Sequence, residues 1–197
     1  MLQRMRTAHY ALIQGLYWSI YCLMVGFASV FLLDRGFTNG QIGLVLGSPN
    51  LYTTNQRLTG YLNALKEAGI TPSDEYIRYG DYTMDGGYQA VQSLLNLKKR
   101  PTALFVTNFE MTLGTMLALQ HSGVRVPDDL SVIGFDKLEL FGEIFPDLTL
   151  IRQPQLSIGR ETANLMLDLL GNHDGISHRI VTLSTELTEG KSVRALK

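Results

Sequence analysis

Residues 130–136, Leu130-Ser131-Val132-Ile133-Gly134-Phe135-Asp136, form an apolar run that ends in a carboxylate. A short run of this kind is typical of a strand that is buried on both faces. Residues 103–107 have the same character, and a polar side chain, Asn108, follows them. Because ligands of open α/β sheets bind at the carboxyl ends of the strands, Asn108 and Asp136 are candidates for one binding site.

Predicted helices alternate with predicted strands on both sides of this stretch. The sequence predicts strands at residues 42–46, 76–79, 103–107, 130–135, 149–151 and 179–186. It predicts helices that begin at Thr53 or Thr54, at Asp85, at Glu110 and at Ile158. Strands that alternate with helices in this way predict an α/β fold with a doubly wound parallel sheet.

The composition of the 197-residue chain limits the classes of function that it can have. Its formal net charge of −1 gives no general attraction to nucleic acid or to acidic lipid. Its single cysteine excludes an internal disulfide framework. The sequence has no metal-ligand spacing, no glycine-rich phosphate loop and no arrangement typical of a nucleophile with its base. The sequence therefore predicts no metal, no cofactor and no enzymatic activity.

The segment before the predicted sheet has a different character, because it carries no charge from Tyr10 to Leu33. As a helix, this run would reach about 36 Å, enough to cross the ~30 Å hydrocarbon core of a bilayer. Arg4 and Arg6 precede the run and would place its amino terminus on the cytoplasmic side. A signal peptide and a buried helix of a soluble domain are the alternatives.

Residues 1–46 resemble the first helix and the following loop of a major facilitator superfamily permease. The matching motifs are Tyr17-Trp18, Gly26-Phe27, Gly36-Phe37 and Gln41-Ile42-Gly43. The resemblance implies a membrane-type helix with membrane contact through residues 10–33, although one helix cannot enclose a transport path. We therefore predict a boundary between residues 1–46 and residues 47–197, with few contacts between residues 1–40 and the sheet.

Several spaced motifs carry a more specific resemblance in the second segment. They are Arg57 in Arg-Leu-Thr-Gly-Tyr, Tyr82 in Gly-Asp-Tyr, Asn108 after Thr107, Asp136 in Ile-Gly-Phe-Asp, and Gln153 in Arg-Gln-Pro. From about Gly47 to Arg194 the chain resembles the effector-binding core of the LacI/GalR family of bacterial repressors. That core shares its fold with type 1 periplasmic sugar-binding proteins. The resemblance implies that these residues line a sugar site and that the partner is a small sugar or a related effector.

The chemistry of these side chains suits a ligand with adjacent hydroxyl groups. Arg57 offers a rigid fork of donors, Asp136 offers two acceptors, and Asn108 and Gln153 offer both kinds of group. Tyr82 offers a flat apolar face. The alternatives are a solvated helix residue for Arg57, helix caps for Asn108 and Asp136, and an exposed turn residue for Tyr82.

The front half of that family has no counterpart that the sequence reveals. We find no helix-turn-helix and no first half of the amino-terminal lobe, so we expect one lobe plus the crossover, and no DNA binding by this chain alone. Ile158, Leu165 and Leu169 would then lose their partner surface, which predicts self-association.

The function predicted from both resemblances is that of a sugar-sensing or effector-sensing domain of a LacI-type regulator, truncated and fused behind a permease-like helix. A membrane-tethered sugar-binding module and a permease fragment without transport activity are the alternatives. The family resemblance implies a cytoplasmic location, whereas insertion of Tyr10–Leu33 would tether the chain to the inner membrane.

Overall fold

The computed structural model describes residues 26–37, 42–136, 147–171 and 181–195. The helices in this range are α1 (Gly26–Asp34), α2 (Tyr52–Glu67), α3 (Met84–Leu95), α4 (Phe109–His121) and α5 (Gln155–Gly171). The strands are β1 (Ile42–Leu46), β2 (Ile77–Tyr79), β3 (Ala103–Val106), β4 (Ser131–Phe135), β5 (Thr149–Arg152) and β6 (Glu186–Thr188). A single 3₁₀ turn, Asp74–Tyr76, leads into β2.

The strands form one sheet in the order β2-β1-β3-β4-β5-β6. The first five are parallel, and β6 runs antiparallel to β5. The predicted α/β fold with a parallel sheet is therefore confirmed.

The strand predicted at residues 179–186 is misplaced, because β6 begins only at Glu186. Glu186 lies opposite Arg152, where β5 ends. Residues 181–185 follow a β-branched pattern, but they come before the point where the neighbouring strand can pair with them.

Alternate residues of the central strands face two separate cores, as the two-residue period of a strand requires. On one face, Leu44 and Phe105 pack in a core with residues of α1 and α2. On the other face, Val45 and Leu104 pack in a core with residues of α3 and α4. The sheet is thus covered by helices on both faces, which leaves the carboxyl ends of its parallel strands to form an accessible edge.

Helix α1 belongs to the α/β core, so the prediction of few contacts between residues 1–40 and the sheet is wrong for residues 26–37. Ala28 and Leu32 are fully buried in the core that α2 and the sheet share, and α1 packs directly on α2. Arg35, at the end of α1, forms an ion pair with Glu189 beyond β6. The apolar character of α1 therefore reflects burial against protein, which was one of the alternatives to a membrane helix.

The described residues do not support a membrane-type helix before the sheet. Among them, no helix combines the length and the apolarity that crossing a bilayer requires, and α1 has nine residues. The rest of the predicted apolar run, residues 10–25, lies outside the described residues. Strand β1, which ends at residue 46, lies inside the sheet between β2 and β3.

Helices α2 and α3 begin slightly before the residues that were predicted to start them. Helix α2 begins after Leu51, whose apolar side chain cannot form a cap, and the hydroxyls of Thr53 and Thr54 bond to Tyr82 from within the first turn. Helix α3 is capped by Thr83, whose Oγ1 accepts from the N–H of Gly86 at 3.0 Å, while Asp85 lies within the first turn. Both helices start within two residues of their predicted positions.

The apolar face of α5 that we expected to be uncovered is largely covered. Ile158 and Leu165 are only 8% and 6% exposed. The exposed apolar residues are instead Leu156, Met166, Leu167 and Leu170. Leu156, Leu167 and Leu170 recur at helical spacing, so α5 carries a second apolar stripe that the sequence analysis did not separate from the first.

Candidate functional site

The five predicted site residues follow one another along the carboxyl edge of the sheet. In spatial order they are Tyr82 after β2, Arg57 on the helix after β1, Asn108 after β3, Asp136 after β4 and Gln153 after β5. Neighbouring strands of a sheet lie ~4.8 Å apart. The edge therefore carries an aromatic ring, donors and acceptors, and the groups after β3, β4 and β5 lie on neighbouring strands.

Asp136 and Gln153 contact each other directly. The amide Nε2 of Gln153 donates to both carboxylate oxygens of Asp136, at 2.6 and 2.8 Å. The backbone N–H of Asp136 donates to the carbonyl of Ile151 on β5 at 2.8 Å. Asp136 has a φ of 66°, in the left-handed region that aspartate adopts more readily than most residues. These contacts fix the carboxylate at the junction between β4 and β5.

Arg57 is buried, with 3% of its surface exposed, so the alternative of a solvated helix residue is wrong. Its Nη1 donates to the carbonyl of Thr107, and its guanidinium lies over the ring of Phe135, 4.3 Å from the ring centroid. The two contacts hold the cation between the ends of β3 and β4. Its charge is therefore available to complement the carboxylate that follows Phe135.

The pKa of Asp136 is raised above the ordinary value for aspartate, chiefly because burial disfavours the charged form. The hydrogen bond from Gln153 and the positive charge of Arg57 act in the opposite direction and lower the pKa. The carboxylate is thus poorly hydrated and depends on nearby donors. A ligand that donates hydrogen bonds would supply the same kind of stabilisation.

Asn108 is the N-cap of α4, as its alternative reading predicted. Its Oδ1 accepts from the N–H of Met111 at 2.8 Å. Its backbone carbonyl accepts from the hydroxyl of Thr112 at 2.7 Å. Because the cap uses the side-chain oxygen, the amide NH₂ is the group that Asn108 can direct to a ligand.

Tyr82 is held by the hydroxyl groups of two residues in the first turn of α2. Its phenol oxygen lies 3.0 Å from Oγ1 of Thr53 and 2.8 Å from Oγ1 of Thr54. Its ring lies against Gly47, where an added Cβ would come within 2.0 Å of the ring. Tyr82 is therefore an anchored, half-buried residue rather than an exposed turn residue.

The residues missed by the sequence analysis are thus Gly47, Thr53 and Thr54, which hold Tyr82 in place. The sequence signal was present, since a glycine directly after a strand often permits a close approach of another group. The partner of that glycine lies far away in the sequence, however, and only the packing of β1 beside β2 brings the two together.

Backbone strain is concentrated at this same edge. Among the described residues, a positive φ outside glycine occurs at Asp81, Tyr82 and Asp136. Such conformations persist only where the surroundings impose them, and they cluster at binding sites. Within the same part of the chain, no group of three or more His, Cys, Asp or Glu side chains is arranged to hold a metal ion.

Comparisons with known families and curated proteins agree with this fold. The family described as "Periplasmic binding protein-like domain" matches residues 30–193. The HTH-type transcriptional repressor CytR of Escherichia coli strain K12 is 39% identical over 167 residues, which cover 84% of this chain and 48% of the repressor. PurR of Edwardsiella ictaluri is 39% identical over 141 residues, 72% of this chain and 41% of that repressor. The chain spans about half the length of the curated relatives it matches.

Solved structures give the same result. A LacI-type regulator from Bacillus cereus subsp. cytotoxis superimposes with a TM-score of 0.81 at 28% identity, covering 88% of this chain and 60% of that one. A complex of the regulator CelR with cellobiose superimposes with a TM-score of 0.75 at 28% identity, covering 92% of this chain and 52% of that one.

The family match also bears on the permease resemblance. It includes Gly36-Phe37 and Gln41-Ile42-Gly43, two of the four motifs on which that resemblance depended. Those motifs thus lie within the range that matches an α/β binding domain.

Proposed function

Because this chain belongs to the periplasmic binding protein-like domain family, in the form found in LacI-type repressors, we propose that it binds a small polyhydroxylated effector at the carboxyl edge of its sheet. The effector would be a sugar or a related molecule. Arg57, Tyr82, Asn108 and Asp136 are the proposed contact residues, and Gln153 lies beside them with its amide on the Asp136 carboxylate. The single observation that carries this proposal is the grouping of a buried cation, a half-buried carboxylate and an amide at the ends of β3, β4 and β5.

A hydroxylated ligand matches this group of side chains in hydrogen-bonding capacity. The carboxylate of Asp136 accepts from two ligand hydroxyls, and the NH₂ of Asn108 donates to a hydroxyl oxygen. The ring of Tyr82, held against Gly47, presents a rigid apolar surface to one face of the ligand. Binding by these groups needs no covalent step, which agrees with relatives that are repressors rather than enzymes.

We also propose that the chain supplies the effector-sensing part of a transcription regulator and does not read DNA by itself. Helices α2, α3 and α4 all pack on the sheet, which commits their apolar faces to the two cores. A gel-shift at low salt should therefore show no sequence-specific complex with operator DNA. A specific complex would contradict this part of the proposal.

Titrations followed by NMR test the binding proposal, because they detect weak as well as tight ligands. D-ribose, D-galactose, cellobiose and uridine form a suitable panel. For any member that binds, Asp136→Ala should weaken binding about ten- to hundredfold, since it strands the donors that face the carboxylate. The matched control is Asp74→Ala, which removes an exposed carboxylate from the turn before β2, at the opposite edge of the sheet. Equal ligand affinities of the wild type and Asp136→Ala would contradict the assignment of the site.

A further inference from the structure

The contact between Gln153 and Asp136 uses the acceptors that a ligand would need. One amide nitrogen donates to both carboxylate oxygens, at 2.6 and 2.8 Å. Hydrogen bonds to an ionised carboxylate are among the strongest that a neutral donor makes. Without a ligand, the carboxylate is therefore occupied by a group from the chain itself.

Gln153 also determines how α5 leaves the sheet. It follows the last residue of β5, and Pro154 separates it from the first residue of α5. Its backbone carbonyl accepts from the N–H of Gln155 at 2.9 Å, and the carbonyl of Pro154 accepts from Ile158 at 2.9 Å. A movement of Gln153 would therefore disturb the hydrogen bonds that begin the first turn of α5.

Asp136, to which the Gln153 side chain is bonded, is held in place by the sheet. The backbone N–H of Asp136 donates to Ile151, and Phe135 lies opposite Ile151 in the register of β4 and β5. Helix α5, by contrast, is mostly exposed along its length. The hydrogen bonds from Gln153 to Asp136 therefore join a rigid sheet edge to a helix that packs sparingly.

We propose that Gln153 is the internal occupant of the Asp136 carboxylate, and that a ligand which takes the carboxylate releases this amide and loosens the first turn of α5. The inference rests on the proposed function, because it assigns the ligand to the same carboxylate. Ligand binding at Asp136 would thereby change the stability of α5, the helix that leads away from the sheet.

Removing an internal occupant changes the ligand affinity in the opposite direction from removing a contact residue. A contact residue loses affinity for the ligand when it is removed. An internal occupant competes with the ligand, so its removal raises the affinity, because the ligand no longer has to displace it. The two roles of Gln153 can therefore be separated by one titration.

Hydrogen exchange of the full chain, followed by mass spectrometry, tests the internal contact without any ligand. Gln153→Met keeps the length of the side chain and removes its donors. It should speed exchange in residues 154–162 about tenfold, the factor expected for loss of one charge-assisted hydrogen bond. Asp136→Asn should produce a smaller effect on the same residues, and the double variant should exchange no faster than Gln153→Met. The matched control, Gln155→Met, alters an exposed glutamine two residues away and should leave this exchange unchanged.

Titration with D-ribose, D-galactose, cellobiose and uridine completes the test. The proposal expects Gln153→Met to bind a ligand of this panel more tightly than the wild type does. Weaker binding would make Gln153 a contact residue and overturn the proposal, as would unchanged exchange in residues 154–162. If neither the wild type nor Gln153→Met binds any member of the panel, the proposed function is wrong, and so is the proposal that a ligand releases Gln153. The exchange result still decides separately whether Gln153 restrains α5.

Discussion

At the scale of single residues, the phenol of Tyr82 links the end of β2 to the first turn of α2. Thr53 and Thr54, which it contacts, are 2% and 0% exposed. Tyr82→Phe should lower the free energy of unfolding by about 1 kcal/mol, since it removes the partner of two buried hydroxyls. Urea denaturation measures the change. Tyr79→Phe, at a tyrosine that is 44% exposed, is the matched control and should have little effect.

The carboxyl of Asp136 gives the fold a dependence on pH. Its pKa is raised by burial, despite the opposing effects of Gln153 and Arg57. A carboxyl with a higher pKa in the folded state destabilises the fold once it ionises, so stability is lost as pH rises from about 3.9, the ordinary value, through the folded pKa. Asp136→Asn cannot ionise and escapes this loss.

Guanidinium denaturation of the wild type and Asp136→Asn between about pH 4 and pH 7 tests that expectation. The difference in unfolding free energy should shift in favour of the variant as pH rises. A difference that stays constant, or that shifts toward the wild type, would mean that Gln153 and Arg57 outweigh burial.

The candidate site shows how far single residues can be read from sequence. Asn108 and Asp136 could be placed at the sheet edge because each directly follows an apolar strand, and the structure puts them there. The cap formed by Asn108 could be predicted because it depends on a residue only three positions away. The contacts of Tyr82 with Thr53 and Thr54 could not, because the partners are separated by nearly thirty positions and meet only when β1 and β2 pair.

At the scale of elements, α1 shows why an apolar helix is ambiguous in sequence. A membrane helix and a core helix both need apolar side chains, and the uncharged run from Tyr10 to Leu33 satisfies either requirement. What distinguishes them is the surface that covers the helix, which the sequence does not contain. In the structure that surface is α2 and one face of the sheet. The strands were easier to predict, because burial on both faces makes β3 apolar throughout and β4 apolar after Ser131.

Substitutions within α1 test its membership of the core. Leu32→Ala should lower the free energy of unfolding by about 2–5 kcal/mol, the usual range for a leucine removed from a packed core. Val30→Ala is the control on the same helix, because Val30 is 40% exposed and should lose about 1 kcal/mol or less. Urea denaturation of both variants provides the measurement. Equal, small losses of unfolding free energy in both variants would mean that α1 packs only loosely on the sheet.

At the scale of the whole molecule, the parallel sheet could be predicted from the alternation of strands and helices alone. The surface of α5 could not, because two apolar stripes share one helix and the sequence does not say which is covered. Leu156, Leu167 and Leu170 are 88%, 67% and 69% exposed. Exposed apolar residues that lie together favour association with another surface.

We therefore predict that the chain self-associates through the exposed stripe of α5. Replacing Leu156, Leu167 and Leu170 by glutamine should raise the monomer fraction in sedimentation velocity, because each buried leucine side chain contributes about 2 kcal/mol to an interface. Glutamine at Ile158 and Leu165 is the comparison, and it should destabilise the fold instead, since both residues are covered. An unchanged monomer fraction in the triple variant would rule out this stripe as the contact.

The antiparallel pairing of β5 with β6 makes the segment between them separable from the sheet. Arg152 lies opposite Glu186, so the chain leaves the sheet and returns to it at a single point. Opposite residues of antiparallel strands lie ~5 Å apart, a gap that a two-residue reverse turn such as Asn-Gly closes. Residues 153–185 are thus an insertion in the sense of protein engineering. A different module whose two ends lie ~5 Å apart could join β5 to β6 at the same point of the sheet.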